Sequence, residues 1–206
     1  MKDGFVRVAA AIPKISVADT TANTEAILAK VREMQALSAK IMVLPELCIT
    51  GYTCQDLFWQ NRLLTQAKEA LLQIARETAD VDALLFVGLP MEIYGKLFNI
   101  AAALCHGEIL GLVPKTHIPS YAEFYEGRHF TAGPKEIAEV QLGDRKVPFG
   151  SRQIFACETL PELKVAAEIC EDLWVPCPPS TAHAMAGATV IVNLSASDEM
   201  TGKDTY

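Results

Sequence analysis

A chain of 206 residues, half of them hydrophobic and 21% charged, has enough apolar material for one domain with a sizeable core, which excludes a disordered chain. Its 25 acidic and 18 basic residues give a net charge of -7 with no basic run anywhere, which excludes a nucleic-acid partner. No apolar run approaches the ~20 residues of a membrane span, and Met1-Lys2-Asp3-Gly4 leads into a strand without a leader, so a cytoplasmic, membrane-free protein is expected.

Phe5–Ile12 reads as a buried strand stopped by Pro13. Ile27, Val31 and Met34 fall at helical spacing and predict a helix from Thr24 to Leu37, capped by Asn23 or Thr24. Ile41–Leu44 is a short apolar strand, followed at once by Pro45-Glu46-Leu47. A second helix, Asn61–Thr78, carries Leu64, Ala67, Leu71 and Ile74 on one face, and Ala83–Leu89 is another buried strand. Turns at Tyr94-Gly95-Lys96 and His106-Gly107 bound strands Phe98–Leu104 and Ile109–Val113. Residues 115–135 have no regular period, and Gly143-Asp144 joins Ile137–Leu142 to Lys146–Phe149. Gln153–Ala156 and Leu163–Ile169 are further strands, Pro178-Pro179-Ser180 opens a short helix through Ala186, and Ala188–Leu194 is the last strand. Near-continuous apolar strands alternating with amphipathic helices predict an α/β fold, a mixed sheet covered on both faces. Residues 1–206 read as one domain, and the polar end at Thr205-Tyr206 is expected to be a cut through something longer.

Cysteines stand at 48, 54, 105, 157, 170 and 177, without CxxC or HExxH spacing, so no metal site is expected. Cys170 differs from the others in ending a strand just before a turn and a helix, a step that exposes a side chain at its apex and leaves backbone N–H groups free to hold an oxyanion. Its neighbours Glu168, Glu171 and Asp172 count against simple burial but oppose a thiolate, so the thiol needs a nearby base or cation. Glu46, behind a proline at a strand's C-terminal end with apolar neighbours Leu44 and Leu47, suits a general base. Lys115 repeats the strand-proline-charge arrangement and is placed to stabilise an anionic intermediate. Taken singly, each has a plain alternative: a buried thiol, a solvated loop acid, a surface lysine.

Together, the order Glu46, Lys115, Cys170 resembles the Glu-Lys-Cys triad of the nitrilase superfamily. The resemblance is carried by L-P-E-L-C-I-T-G-Y-T-C-Q-D-L-F (44–58), K-T-H-I-P-S-Y-A-E-F-Y-E-G-R-H-F (115–130), E-I-C-E-D-L-W-V-P (168–176) and N-L-S-A-S (193–197). More narrowly, these motifs are similar to the glutaminase domains of glutamine-dependent NAD synthetases. The resemblance implies an α-β-β-α sandwich, hydrolysis of glutamine by Cys170 with no cofactor or metal in this domain, and transfer of ammonia to a synthetase domain of the same polypeptide that uses ATP and magnesium. It also implies a homo-oligomer. It assigns Glu126 to support Lys115, and Tyr121, Phe124, Glu171 and Ser197 to surround glutamine. Where the family often places an arginine after N-L-S-A-S, Lys203 is the nearest cation, and Lys lacks the bidentate fork of Arg. The chain has no Gly-rich phosphate loop, so the synthetase domain is absent from it. Rival expectations are a stand-alone amidase or nitrilase, a silent binding module, and a papain-like hydrolase whose one candidate base, His183, is expected at the surface. Residues 116–135, rich in Tyr121, Phe124, Tyr125 and Phe130, are expected to wall the glutamine pocket.

Overall fold

The computed structural model describes residues 4–205; the leaderless start read at Met1–Asp3 and the closing Tyr206 lie outside the described residues. The elements are β1 (Val8–Ala10), α1 (Thr20–Ala36), β2 (Ile41–Val43), α2 (Asn61–Glu77), β3 (Leu84–Ile93), β4 (Lys96–Cys105), β5 (Glu108–Pro114), β6 (Ala138–Leu142), β7 (Arg145–Phe149), β8 (Phe155–Cys157), β9 (Leu160–Ile169), α3 (Pro179–Met185) and β10 (Val190–Leu194). Seven strands form one sheet in the order β1-β2-β3-β4-β5-β7-β6, and three form a second in the order β10-β9-β8. β1, β2 and β3 run parallel, and β3, β4 and β5 antiparallel. β2, β3 and β5 therefore point the same way. β9 and β10 are parallel in the second sheet.

The period of two along each strand sorts side chains into two cores. On β4, Phe98, Ile100, Ala102 and Leu104 pack toward Ile27, Val31, Leu71 and Ile74 of α1 and α2. Ala101 and Ala103 face the other way, against Val165, Ala167 and Ile169 of β9. Alanine at these positions lets the two sheets pack closely. The remaining face of β9 carries Glu168, whose Oε2 accepts the Ser180 N–H of α3 at 3.0 Å. The layers are thus helix, sheet, sheet, helix, as the resemblance implies. No described helix is long and apolar enough to cross a membrane.

Boundaries differ from expectation for physical reasons. α1 starts four residues before Thr24, with Asp19 as its cap: Oδ1 accepts the Ala22 N–H at 3.0 Å. Asn23, expected to cap, is inside the helix and fully buried, donating to the carbonyls of Ser16 (2.8 Å) and Ile49 (3.0 Å). Thr24 bonds Thr20 O at 2.7 Å instead of capping. β1 is shorter than Phe5–Ile12, both of whose end residues are more than 80% exposed. Gln153 leaves the predicted strand because its amide donates to Leu112 O (2.9 Å) and Gly150 O (2.8 Å), fixing a bend. β9 begins at Leu160 rather than Leu163 because β8 returns into it through a hairpin, pairing Cys157 with Leu160.

Candidate active site

The C-terminal ends of β2, β5, β9 and β10 gather at one end of the sandwich. Glu46 lies three residues past β2, Lys115 directly follows β5, Cys170 directly follows β9, and Ala196 and Ser197 follow β10. Between β2 and β5 runs β4, which brings Asn99 to the same end and accepts the Lys115 N–H on the Asn99 carbonyl at 2.8 Å. The segment carrying Glu46 presses so closely on β3 that a Cβ at Gly88 would overlap Leu47 N and Pro45 O. Asn23 and Ile49 tie the far side of that segment to α1.

Lys115 is fully buried, not the surface residue its type suggests. Its Nζ donates to Glu46 Oε1 at 2.7 Å and to Glu126 Oε1 at 2.6 Å. Glu46 Oε1 also accepts from Asn99 Nδ2 at 2.7 Å, and its Oε2 accepts the Ala196 N–H at 3.0 Å. Glu126 Oε1 accepts the Tyr52 hydroxyl at 2.8 Å, while Oε2 is buried with no hydrogen-bond partner. Burial opposes the lysine's charge, but Glu46 and Glu126 outweigh it, so its pKa is raised and it stays an ammonium. Burial, then the Glu46 charge, push the Glu126 carboxyl up. Burial also pushes the Tyr52 phenol up, with the Glu126 charge adding to it. One cation held among carboxylates out of water costs desolvation energy, and clusters of this kind concentrate at functional sites.

Cys170 opens a short 3-10 turn (Cys170–Leu173) with φ +44°, a left-handed conformation that is strained for a side chain with a Cβ. The expectation of an exposed apex is wrong: the residue is 7% exposed, covered from β10's end, with Sγ 3.9 Å from Ser197 Oγ and its carbonyl accepting from Asn193 Nδ2 at 3.4 Å. Of the three acids taken as evidence against burial, Glu168 and Asp172 are themselves buried, each 1% exposed, because both are hydrogen-bonded into the fold; Glu171 is half-buried. Burial, then the Glu46 charge, push the Cys170 thiol up; the Lys115 charge pulls the other way without overcoming them. The resting sulfur is therefore a thiol beside a carboxylate.

Residues 116–135 form one wall of a cavity of about 400 Å³, lined by Phe124 and Glu126 on that side and by Ala196 and Ser197 opposite. Tyr121, though 55% exposed, donates its hydroxyl to Glu171 Oε2 at 2.8 Å, which pushes its pKa up to about 12. Phe130 turns inward against Phe58. Lys203 curls back on Asp198, donating to its carbonyl at 2.6 Å and to Oδ1 at 2.9 Å. The structure thus brings Glu46, Lys115, Cys170, Glu126 and Ser197 together; of the other expected residues, Phe124 lines the cavity, while Tyr121 and Glu171 bond each other and are not among its lining residues. Sequence reading missed Asn99, Tyr52 and Asp172. Asn99 alone carried a signal, a polar side chain in the apolar strand Phe98–Leu104.

The other thiols differ in character. Cys48 is buried, which pushes its pKa up to about 12, and burial also raises Cys54. Cys157, the last residue of β8, has its pKa lowered by the Thr159 hydroxyl 3.4 Å away. His183 is 4% exposed rather than on the surface, because α3 packs it inward to bond Ser151 O through Nε2 at 2.9 Å. Its Nε2 is thus engaged by the Ser151 carbonyl, and no hydrogen bond described joins His183 to Cys170.

Comparison with known proteins bears on the family and the fold. The chain matches the carbon-nitrogen hydrolase model over residues 7–205. It is 40% identical over 200 residues to a glutamine-dependent NAD(+) synthetase of Mycobacterium bovis, covering 97% of this chain and 30% of that protein. A crystal structure of a glutamine-dependent NAD(+) synthetase from Cytophaga hutchinsonii superposes with a TM-score of 0.86 at 31% identity, over 97% of this chain and 32% of that one. An amidase from Nesterenkonia sp. shares the fold, with a TM-score of 0.70 at 22% identity over 94% of this chain and 66% of that one. The chain spans about 30% of the length of the curated relatives it matches. On sequence and fold alike, it belongs to the carbon-nitrogen hydrolase family.

Proposed function

We propose that this domain hydrolyses the side-chain amide of glutamine through a thioester on Cys170 and supplies the ammonia to NAD synthesis by a synthetase segment of the same polypeptide. The observation that carries this reading is the buried Lys115 ammonium, 2.7 Å from Glu46 and 2.6 Å from Glu126 beside the Cys170 thiol, in a chain 40% identical to a glutamine-dependent NAD(+) synthetase.

Because the resting sulfur is a thiol, attack requires a base in place, and Glu46 fills that role. Glu46 takes the Sγ proton as sulfur bonds to the amide carbon. The carbonyl oxygen becomes an oxyanion held by the Lys115 ammonium and by the Glu171 N–H, one of the first-turn donors that a helix leaves unpaired. Glu46 returns the proton to the amide nitrogen, the C–N bond breaks and ammonia leaves. Water then attacks the thioester, Glu46 takes its proton, and collapse releases glutamate and restores the thiol. Glu126 keeps Lys115 charged and aimed. Phe124 and Ser197 pack beside the substrate, Glu171 faces its ammonium with Tyr121 bracing Glu171, and Lys203 keeps one N–H for the α-carboxylate. Residues 1–206 form most of a glutaminase domain, and the reading carries with it ATP and magnesium at the synthetase segment, a homo-oligomer and a cytoplasmic setting.

A substrate series tests this. Ammonia release from glutamine, asparagine and simple aliphatic amides is compared in wild type and Cys170→Ala. Glutamine should exceed the others in kcat/KM by about 100-fold or more, as expected where buried polar groups demand a matching substrate. Preference for an aliphatic amide or a nitrile would replace this reading with the stand-alone amidase.

A further inference from the structure

Lys115 and Cys170 stand at the ends of strands in different sheets, and no ladder joins β5 to β9. The sheets meet there through small apolar side chains, among them Ala101, Ala103, Val113 and Ala167, which set a separation but not a register along the strands. Every hydrogen bond described between residues 115–118 and 168–173 runs through one carboxylate, that of Asp172. Its Oδ1 accepts from Thr116 Oγ1 at 2.6 Å, His117 N at 2.8 Å, Thr116 N at 3.1 Å and His117 Nδ1 at 2.9 Å. Its Oδ2 accepts from Ile169 N at 3.2 Å, the residue that precedes the nucleophile, and from Thr116 N at 3.3 Å. The side chain is 2% exposed, so these charge-assisted bonds are shielded from water.

We infer that Asp172 is a positioning residue, a clamp across the two sheets that fixes the Lys115 ammonium relative to the Cys170 sulfur. The inference rests on the proposed roles of those two residues. The geometry is that of a staple: the carboxylate grips the residue after Lys115 on one side and the residue before Cys170 on the other, and Asp172 is itself two residues past the sulfur. The strained φ of Cys170 needs surroundings that hold it, and the Ile169 bond is placed to do so. An amide at this position offers an NH₂ where an oxygen is needed, so Asn keeps the shape and loses the clamp.

Two readouts on Asp172→Asn test this, with Thr116→Val as a milder variant that removes one donor. The first is steady-state glutamine hydrolysis: kcat should fall by about 100-fold, the loss expected for a misplacement of order 1 Å, with KM nearly unchanged. Thr116→Val should lose less. The second needs no substrate: the rate of Cys170 alkylation by iodoacetamide at one fixed pH, followed by peptide mass spectrometry. Deleting an anion near the thiol, or loosening the fold around it, would speed alkylation. Withdrawing the Lys115 charge that favours the thiolate slows it, and a several-fold slowing is expected. Alkylation that is unchanged or faster in Asp172→Asn would overturn the clamp, as would an unchanged kcat. If wild type fails to hydrolyse glutamine while Asp172→Asn still slows alkylation, the substrate reading fails and the clamp stands.

Discussion

Glu126 was legible as a partner of Lys115 only through the resemblance, because the residues between them follow no regular period; the structure puts the two 2.6 Å apart. The consequence is a pH dependence. Burial and the Glu46 charge raise the Glu126 carboxyl. As the pH falls, Glu126 therefore takes up its proton above the ordinary carboxylate range of ~4.3 and ceases to hold Lys115. The acid limb of kcat should lie above that range in wild type. Glu126→Gln should lower kcat about 10–100-fold, as losses of supporting groups do, with a smaller effect on KM. A pH–kcat profile checks both; an acid limb at the ordinary value would contradict the bracing role. The thiols make a second case at this scale. Only Cys170 carried a signal in sequence, through its strand end, whereas the lowered pKa of Cys157 depends on a turn that no spacing announces. A plain haloacetamide near neutral pH should therefore label Cys157 well ahead of Cys48 and Cys54, and a glutamine-like electrophile should label Cys170. A peptide-mass time course in which Cys48 or Cys54 leads would contradict the burial account.

At the scale of elements, the periodic segments were readable and the junctions were not. Ile27, Val31 and Met34 announced α1, but Asp19 took the cap because Asn23 lies on the buried face, where its amide holds Ser16 and Ile49. Strand β4 was evident from its apolar run, but not the function of Asn99 within it. Gly88 illustrates the limit: inside a strand pattern it reads as a weak position, while the structure shows that β3 passes too close to Pro45–Leu47 for any side chain. Gly88→Ala must move the backbone that carries Glu46. It should cost about 1–3 kcal/mol of stability, as overpacking does, and reduce kcat about tenfold or more through displacement of the base. Denaturant midpoints and initial rates on the same preparation check this; full activity at wild-type stability would mean that the segment yields freely.

At the scale of the molecule, strands apolar on both faces predict one sheet covered on both sides, whereas the structure has two sheets packed face to face; the α-β-β-α layering was implied by the resemblance alone. The assignment of strands to two sheets was not readable, because β5 and β9 have similar composition and nothing local says that they face each other rather than pair. Yet that layering creates the site: Glu46 and Lys115 come from one sheet, and Cys170 and Ala196 from the other. The proposed chemistry at this junction has the sulfur carrying the acyl group while carboxylate and ammonium act on it from across the gap. The most direct test is to mix the intact protein with glutamine, quench in acid within the first turnover and map the acylated residue by peptide mass spectrometry. A γ-glutamyl adduct on Cys170 is expected, absent from Cys170→Ala, which should also lose at least about 10⁴-fold in glutaminase rate. An adduct on another residue, or glutamate release that persists in Cys170→Ala, would contradict it.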